Sequence, residues 1–324
     1  MRYSGGPEAS VSVLDWSLKD SEYAVVSIKT TGLTQNYDRI CEISVVTAVP
    51  GQPLRLALDT LIHPGRRLAG AEVHGIRDRN VAMAPTFEQV ALDLLRELQE
   101  RILVGHNMEF VLRFLQSEYK ALGVDLDVPY LDTMSIASML SRQPNRPLLE
   151  ACDVWELEAS LECTSAAAAL DTAKLMRVLM AKLDTMGLHT FGRLTGKGNR
   201  AYQQSLSKKP MPRGFSYDLE DSAVRWSRHD RGVEGRVNVA LALYWDALLV
   251  ALDDLIITDE EQQHLERLKT DLELEVDDVY LLHSRMFTSS IVAMIERNTC
   301  TEDDRKHLQS LRSCLTRLGW APGD

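Results

Sequence analysis

The chain has 324 residues, of which 45% are hydrophobic and 26% are charged, as in a globular protein large enough for two domains. Its net charge of −11 excludes a general nucleic-acid coat, which needs an excess of basic side chains to contact phosphates. No apolar run approaches the ~18 residues of a membrane-spanning helix, and the first ten residues lack the features of a secretory signal. We therefore expect no contact with a membrane.

Five cysteines are scattered along the chain, at positions 41, 152, 163, 300 and 314. None of them forms a Cys-x-x-Cys pair or a spacing typical of a zinc site. An odd number of cysteines in hydrophobic surroundings favours reduced thiols. The sequence therefore predicts a cytoplasmic protein.

The first elements in chain order predict an antiparallel meander of three strands. Residues 1–20 are expected to be a disordered lead. Residues 23–29, 40–49 and 54–63 are rich in β-branched and apolar side chains, and turn residues separate them.

The next elements alternate between helix and strand. Thr86 is a plausible N-cap for a helix whose apolar residues recur at helical spacing: Phe87, Val90, Leu94, Leu95 and Leu98. A short buried strand at residues 103–104 leads into a helix over 109–122, and residues 128–131 form the last strand. The pattern predicts an α/β domain over residues 21–188, with a mixed sheet and helices on both faces.

Residues 189–236 change in composition and predict a basic linker with one short helix near 222–227. The basic side chains assigned to this patch are Lys197, Arg200, Lys208, Lys209, Arg213, Arg225 and Arg228. Interleaved aromatic residues make the patch suitable for stacking on single-stranded nucleic acid. The same composition also suits docking onto acidic parts of this chain or onto another acidic protein.

Residues 237–324 predict an all-helical domain with an internal repeat. Thr258 with Glu261, and Thr301 with Asp304, are spaced as in capping boxes. The segment resembles tellurite-resistance-B-like (TerB-like) helical modules, although a generic helical bundle would show the same features. We expect it to contact a protein partner.

Several motifs in residues 20–185 follow one another in an order known from one enzyme family. The stretch 23–33 ends in Thr30-Thr31-Gly32-Leu33, and 38–44 reads Asp-Arg-Ile-Cys-Glu-Ile-Ser. Val73-His74-Gly75-Ile76 and Leu103-Val104-Gly105-His106-Asn107 come next. Together these motifs resemble the DEDDh (DnaQ-like, proofreading-type) 3′→5′ exonucleases, which have a ribonuclease-H-like fold.

The resemblance implies a catalytic site in which most of the metal-binding and acid–base residues are replaced. Members of the family hold two divalent metals with four carboxylates and use a His as general base. Counted by motif, the replaced positions are Ser27, Lys29, Val111 and, for the His, Ala166, whereas Asp171 is retained. We therefore predict no bound metal, no cofactor and no intact catalytic site.

The retained acid leads to a specific structural expectation. A lone carboxylate in a pocket needs a counter-charge, and Lys29 is the candidate partner of Asp171. The alternative is that Lys29 extends to solvent and Asp171 faces water.

The motif residues around these positions are retained, and the resemblance implies that they lie along a terminal nucleotide. They are Thr30, Thr31, Gly32, Leu33, His74, His106 and Asn107. For the two histidines a purely structural role is the alternative.

Three functional hypotheses remain open. The first is an inactive exonuclease-like protein that binds single-stranded nucleic acid or a 3′ end, or scaffolds a protein partner. The second is an active metal-dependent 3′→5′ exonuclease with an altered site, and the third is a pure protein-interaction module.

Overall fold

A computed structural model describes residues 12–33, 38–66, 68, 75–195, 211, 239–296 and 300–323. The predictions for His74, for the seven residues of the basic patch and for a helix near 222–227 lie outside these described residues.

The α/β part is built on a mixed five-stranded sheet in the order β3-β2-β1-β4-β5. Its strands are β1 (Tyr23–Thr30), β2 (Ile40–Ala48), β3 (Arg55–Leu61), β4 (Ile102–Gly105) and β5 (Tyr130–Asp132). The first three strands pair antiparallel, and β4 pairs parallel with β1 and with β5. The predicted meander and mixed sheet are confirmed.

Helices cover the sheet and form the C-terminal part of the chain. Those that accompany the sheet are α1 (Asp78–Val81), α2 (Phe87–Leu98), α3 (Met108–Ala121), α4 (Thr133–Ser141), α5 (Leu148–Val154), α6 (Ser165–Thr185) and α7 (Phe191–Thr195). The C-terminal helices are α8 (Val239–Ala251), α9 (Asp259–Asp271), α10 (Val276–Glu296) and α11 (Glu302–Arg317).

Each face of the sheet has its own hydrophobic core, because successive side chains of a strand point to opposite faces. On one face, Ala24, Val26 and Ile28 of β1 pack with apolar residues of α2 and α3. On the other face, Tyr23 and Val25 pack with α4, α5 and α6. Ser27 and Lys29 continue this second face toward the carboxyl end of β1.

Local capping signals in the sequence are confirmed. Thr86, Thr258 and Thr301 are the N-caps of α2, α9 and α11, each with a capping box. In each box the threonine backbone N–H donates to the side chain of the third helical residue, and the threonine hydroxyl accepts from the backbone N–H of that residue. These helix starts depend on neighbouring residues only, which is why the sequence predicts them.

Residues 12–20 and 189–195, which the sequence analysis assigns to a lead over 1–20 and to a linker from 189, contribute to the core of the α/β domain. Val13 and Leu18 are buried, and the Leu18 backbone N–H donates to the carbonyl oxygen of His189 at 2.9 Å. Phe191 of α7 is fully buried in the same core. Segments far apart in sequence thus complete the second core together.

The C-terminal helices enclose a third core around Tyr244, Leu248, Leu265 and Leu315. His283 is fully buried there, with its Nε2 atom 3.0 Å from the Tyr244 hydroxyl, and burial lowers the pKa of His283 to about 4. None of the described helices is both long and apolar enough to cross a bilayer. All five cysteines are free thiols.

Glu118 of α3 fixes the start of β2, and its replacement tests this contact. The carboxylate is 4% exposed and accepts bonds from Arg39 Nε at 2.8 Å and Nη2 at 2.6 Å, and from the Ile40 backbone N–H at 3.3 Å. Glu118→Gln should lower the free energy of unfolding by about 2 kcal/mol, because the amide cannot accept all three bonds.

Chemical denaturation followed by circular dichroism measures the loss. Glu302→Gln is the matched control, because Glu302 pairs with Arg305 and the two side chains are 69% and 70% exposed. An exposed pair of this kind contributes only about 0–1 kcal/mol. Equal losses in the two variants would contradict the assignment.

Candidate functional site

A small cavity lies where the carboxyl end of β1 meets α3 and α6. Its volume is about 110 Å³. Ser27 and Lys29 of β1, Val111 of α3 and Thr172 of α6 line it, together with His106 and Asn107. The structure therefore brings together three of the four positions that the sequence marks as replaced.

The start of α6 decides which of its residues face this cavity. Glu42 of β2 is fully buried and accepts a hydrogen bond from the Ser165 backbone N–H at 3.2 Å, and the hydroxyl oxygens of Ser44 and Ser165 are 2.6 Å apart. An α-helix turns by about 100° per residue, so a residue seven positions after Ser165 returns to the same face. That residue is Thr172.

Asp171, which the sequence analysis assigns to the site, lies outside the cavity. It lies about 100° away from Thr172 around α6, and it does not line the cavity. Its carboxylate instead accepts hydrogen bonds from Lys174 Nζ and from the Ser160 backbone N–H, each at 2.7 Å. The expected ion pair with Lys29 is therefore not formed, because the i, i+3 neighbour Lys174 takes that role.

The assignment of the general-base position to Ala166 changes with it. If Thr172 stands at the carboxylate position, the residue five positions earlier is Ala167. Ala167 is 8% exposed, and its methyl group cannot accept a proton. An alanine therefore still stands at the position of the general-base His, but it is Ala167 instead of Ala166.

The loop after β1 is held by contacts within the chain. The Thr31 hydroxyl donates to Asp38 Oδ1 at 2.9 Å and accepts from the Arg39 backbone N–H at 3.1 Å. A Cβ atom on Gly32 would lie 2.5 Å from the Asp38 carboxylate oxygens, so a larger residue there would displace the Asp38 side chain from its bond with Thr31. The Thr30 hydroxyl donates to the Gly32 carbonyl oxygen at 2.6 Å. The Thr-Thr-Gly motif therefore packs the loop against the start of β2.

His106 and Asn107 also have structural partners. Burial lowers the pKa of His106, and the neutral ring donates through Nε2 to the Arg146 carbonyl oxygen at 2.8 Å, with Nδ1 2.9 Å from the Thr133 hydroxyl. Asn107 is the N-cap of α3. Asp132 accepts from the backbone N–H groups of Asn107 and Met134, each at 3.0 Å, and burial raises the pKa of Asp132.

The C-terminal helices cover the cavity, which the sequence did not indicate. Asp246, Leu249 and Val250 of α8 form its outer wall. Leu249 packs against both the first core and the C-terminal core, and so does Leu33 from the loop after β1. The wall therefore adds a carboxylate and two apolar side chains to the site.

Polar contacts fix the two parts of the chain around this wall. Arg113 of α3 forms an ion pair with Asp253, just beyond α8. His264 Nε2 of α9 lies 3.1 Å from Glu150 Oε1 of α5. Burial works to raise the pKa of Glu150, but the contacts with His264 and Arg146 outweigh it and lower that pKa.

Comparisons with known proteins match part of this chain to an exonuclease family and to DNA polymerase III proteins. Residues 29–178 match the family model of the RNase_T exonucleases. A PolC-type DNA polymerase III from Thermotoga petrophila is 33% identical over 129 residues, which are 39% of this chain and 9% of the polymerase. A DNA polymerase III subunit epsilon-like protein from Rhodobacter capsulatus is 31% identical over 179 residues, 52% of this chain and 25% of that protein.

A solved structure of exonuclease X in complex with 5′ overhanging duplex DNA is 16% identical, with a TM-score of 0.41, and covers 57% of this chain and 99% of its own. The chain thus corresponds to a quarter or less of the two curated relatives. Together with the mixed sheet, the family match shows an exonuclease-like domain with a ribonuclease-H-like fold, followed by a helical C-terminal region.

Proposed function

We propose that this exonuclease-like domain does not hydrolyse nucleic acid and that the protein acts by binding. The observation that carries the proposal is the set of side chains in the cavity. Ser27, Lys29 and Val111, at three positions where the family resemblance implies metal-binding carboxylates, line it together with Thr172, and Asp171 does not.

The side chains of the cavity do not fit a pair of divalent metals. Mg²⁺ requires oxygen ligands in near-octahedral geometry and is held by carboxylates. Two hydroxyl groups are weak substitutes, the Val111 side chain has no donor atom, and the Lys29 ammonium repels a cation. Asp246 of α8 is the single carboxylate that the described part of the chain contributes to the cavity lining. We therefore derive no catalytic step through a metal.

The small size of the cavity argues against the binding of a nucleic-acid end there, and so favours a role in binding a protein partner. Pockets that hold small ligands have volumes of about 300–1,000 Å³, whereas this cavity measures about 110 Å³. A terminal nucleotide would have to displace Leu249 and Val250 of α8. The C-terminal helices cover the cavity with α8, and their other surfaces remain available to a protein partner. This holds whether they form a TerB-like module or a generic bundle.

A nuclease assay on the full chain tests the absence of hydrolysis. We expect no shortening of 5′-labelled single-stranded DNA or RNA with Mg²⁺ or Mn²⁺, because the cavity cannot assemble the metal pair. Gel electrophoresis of the products over time measures it. Shortening that requires metal and disappears in Asp246→Asn or Ser27→Ala would contradict the proposal and favour an active exonuclease with an altered site. Shortening that persists in both variants would come from a contaminant.

A binding assay on the same full chain distinguishes nucleic-acid binding from a protein-interaction role. Fluorescence anisotropy with short labelled oligonucleotides at low and moderate salt reports on nucleic-acid binding. No saturable binding at either salt concentration is the result expected for a protein-interaction role. Saturable, salt-sensitive binding would instead favour a function in nucleic-acid binding, with the basic patch as the candidate contact.

A further inference from the structure

A groove of about 660 Å³ lies at the opposite end of the sheet from the cavity. The turn between β2 and β3 forms one wall, and the C-terminal half of α6 forms the other. The amino end of β1 lines it through Tyr23, six residues before Lys29. At about 3.3 Å per residue these two positions are roughly 20 Å apart along β1, so the groove is a separate site.

The floor of this groove is apolar. Leu18, Tyr23, Met176 and Leu188 are each less than 9% exposed and line it from below. Met180 continues the surface on α6 and is partly exposed. Thioether side chains adapt to ligands of different shape, so a floor with two methionines suits a flexible apolar chain. The volume is within the range of about 300–1,000 Å³ that is typical of small-molecule sites.

The rim is cationic, and one of its charges is held in place. Arg177 of α6 reaches the β2–β3 turn, where its Nη2 atom donates to the Gln52 carbonyl oxygen at 2.8 Å. A guanidinium group has five N–H donors, so the remaining N–H groups of Arg177 can donate to a second acceptor. Lys19 also lines the groove, and neither Lys19 nor Arg177 forms an ion pair with a carboxylate of the described residues. The acid on the rim, Asp184, is 2.7 Å from His189 Nδ1.

We propose that this groove binds a small amphipathic carboxylate, with its apolar chain on the methionine floor and its head group at Arg177 and Lys19. Apolar burial provides most of the binding free energy, and the cations select the charge of the head group. The site is independent of the exonuclease-like cavity and of the proposed function.

Two surfactant-like probes with the same tail and opposite charge test the proposal. Isothermal titration calorimetry of the full chain, below the micelle concentration, should show saturable 1:1 binding of dodecanoate. Dodecyltrimethylammonium should bind at least about tenfold more weakly, because its cationic head faces Arg177 and Lys19. Equal affinity for the two probes, or no saturable binding of dodecanoate, would overturn the proposal.

Substitutions then locate the site. Arg177→Gln should weaken dodecanoate binding by about five- to tenfold and leave dodecyltrimethylammonium unaffected or tighter. Met180→Glu should weaken dodecanoate binding further, because it adds a like charge to the floor. Arg267→Gln, an exposed arginine on α9, is the matched control and should change nothing. Unchanged dodecanoate affinity in both groove variants, with unaltered circular dichroism, would place binding elsewhere and overturn the assignment.

Discussion

Introducing four carboxylates into the cavity should create a Mn²⁺ site that we expect the wild type to lack. The variant combines Ser27→Asp, Lys29→Glu, Val111→Asp and Thr172→Asp. Without metal its melting temperature should fall below that of the wild type, because four acids in one small cavity repel each other and lose hydration.

Mn²⁺ should then reverse this loss. At a metal concentration about 100 times the dissociation constant, binding adds about 2.7 kcal/mol to the stability of the folded state. For a domain of this size that corresponds to a rise of roughly 5–10 °C in melting temperature. Differential scanning calorimetry with 0–10 mM Mn²⁺ would measure it, at concentrations chosen for about this ratio, and the wild type should show no rise.

The matched control is the triple variant that leaves Thr172 unchanged and so relies on Asp171 for the fourth acid. It should bind Mn²⁺ much more weakly, because Asp171 contacts Lys174 and Ser160 outside the cavity. A triple variant that binds as tightly as the quadruple one would show that Asp171 faces the metal position. That result would contradict the placement of Thr172.

Leu249→Asp should detach α8 from the cavity and expose Cys163. Leu249 packs against both the first core and the C-terminal core, so a charged side chain there costs about 2–3 kcal/mol in the closed arrangement. This cost corresponds to a roughly 30- to 150-fold shift toward the open arrangement, since each 1.4 kcal/mol changes an equilibrium tenfold.

Cys163 reports on this opening. It packs against the C-terminal core, and burial raises the pKa of its thiol, which slows its reaction in the closed arrangement. The rate of labelling by a thiol-reactive dye, in a Cys300→Ser background that removes the exposed thiol, should rise by at most the factor of the opening equilibrium, because Cys163 is already partly accessible in the closed arrangement. Mass spectrometry would assign the labelled residue.

Leu281→Asp is the matched control, because Leu281 is 43% exposed on α10. It should leave the labelling rate near that of the wild type. Equal acceleration in both variants would indicate a general loss of stability, and unchanged labelling in Leu249→Asp would contradict the covering role of α8.

The strands of the meander and the starts of α2, α9 and α11 could be predicted because their signals are local. A strand shows its period within a few residues, and a capping box needs only Thr258 and Glu261, or Thr301 and Asp304. Ser27, Lys29 and Val111, at positions where the resemblance implies acids, could be identified in the same way, because each stands beside a recognisable motif. In Thr30-Thr31-Gly32 the motif indicated a loop, although its close packing against Asp38 was not evident.

The exact face of α6 could not be predicted, because the run Ala166-Ala167-Ala168-Ala169 offers no internal marker of register. A miscount of one residue turns a helical position by about 100°, and the structure resolves it through the contact of Ser165 with Glu42 and Ser44. The sequence by itself thus determined the order of the elements and the absence of most acidic motif residues. Only the tertiary structure decided that Thr172 faces the cavity, that Asp171 pairs with Lys174 and that α8 covers the site, because each depends on contacts between residues distant in the chain or on helix register.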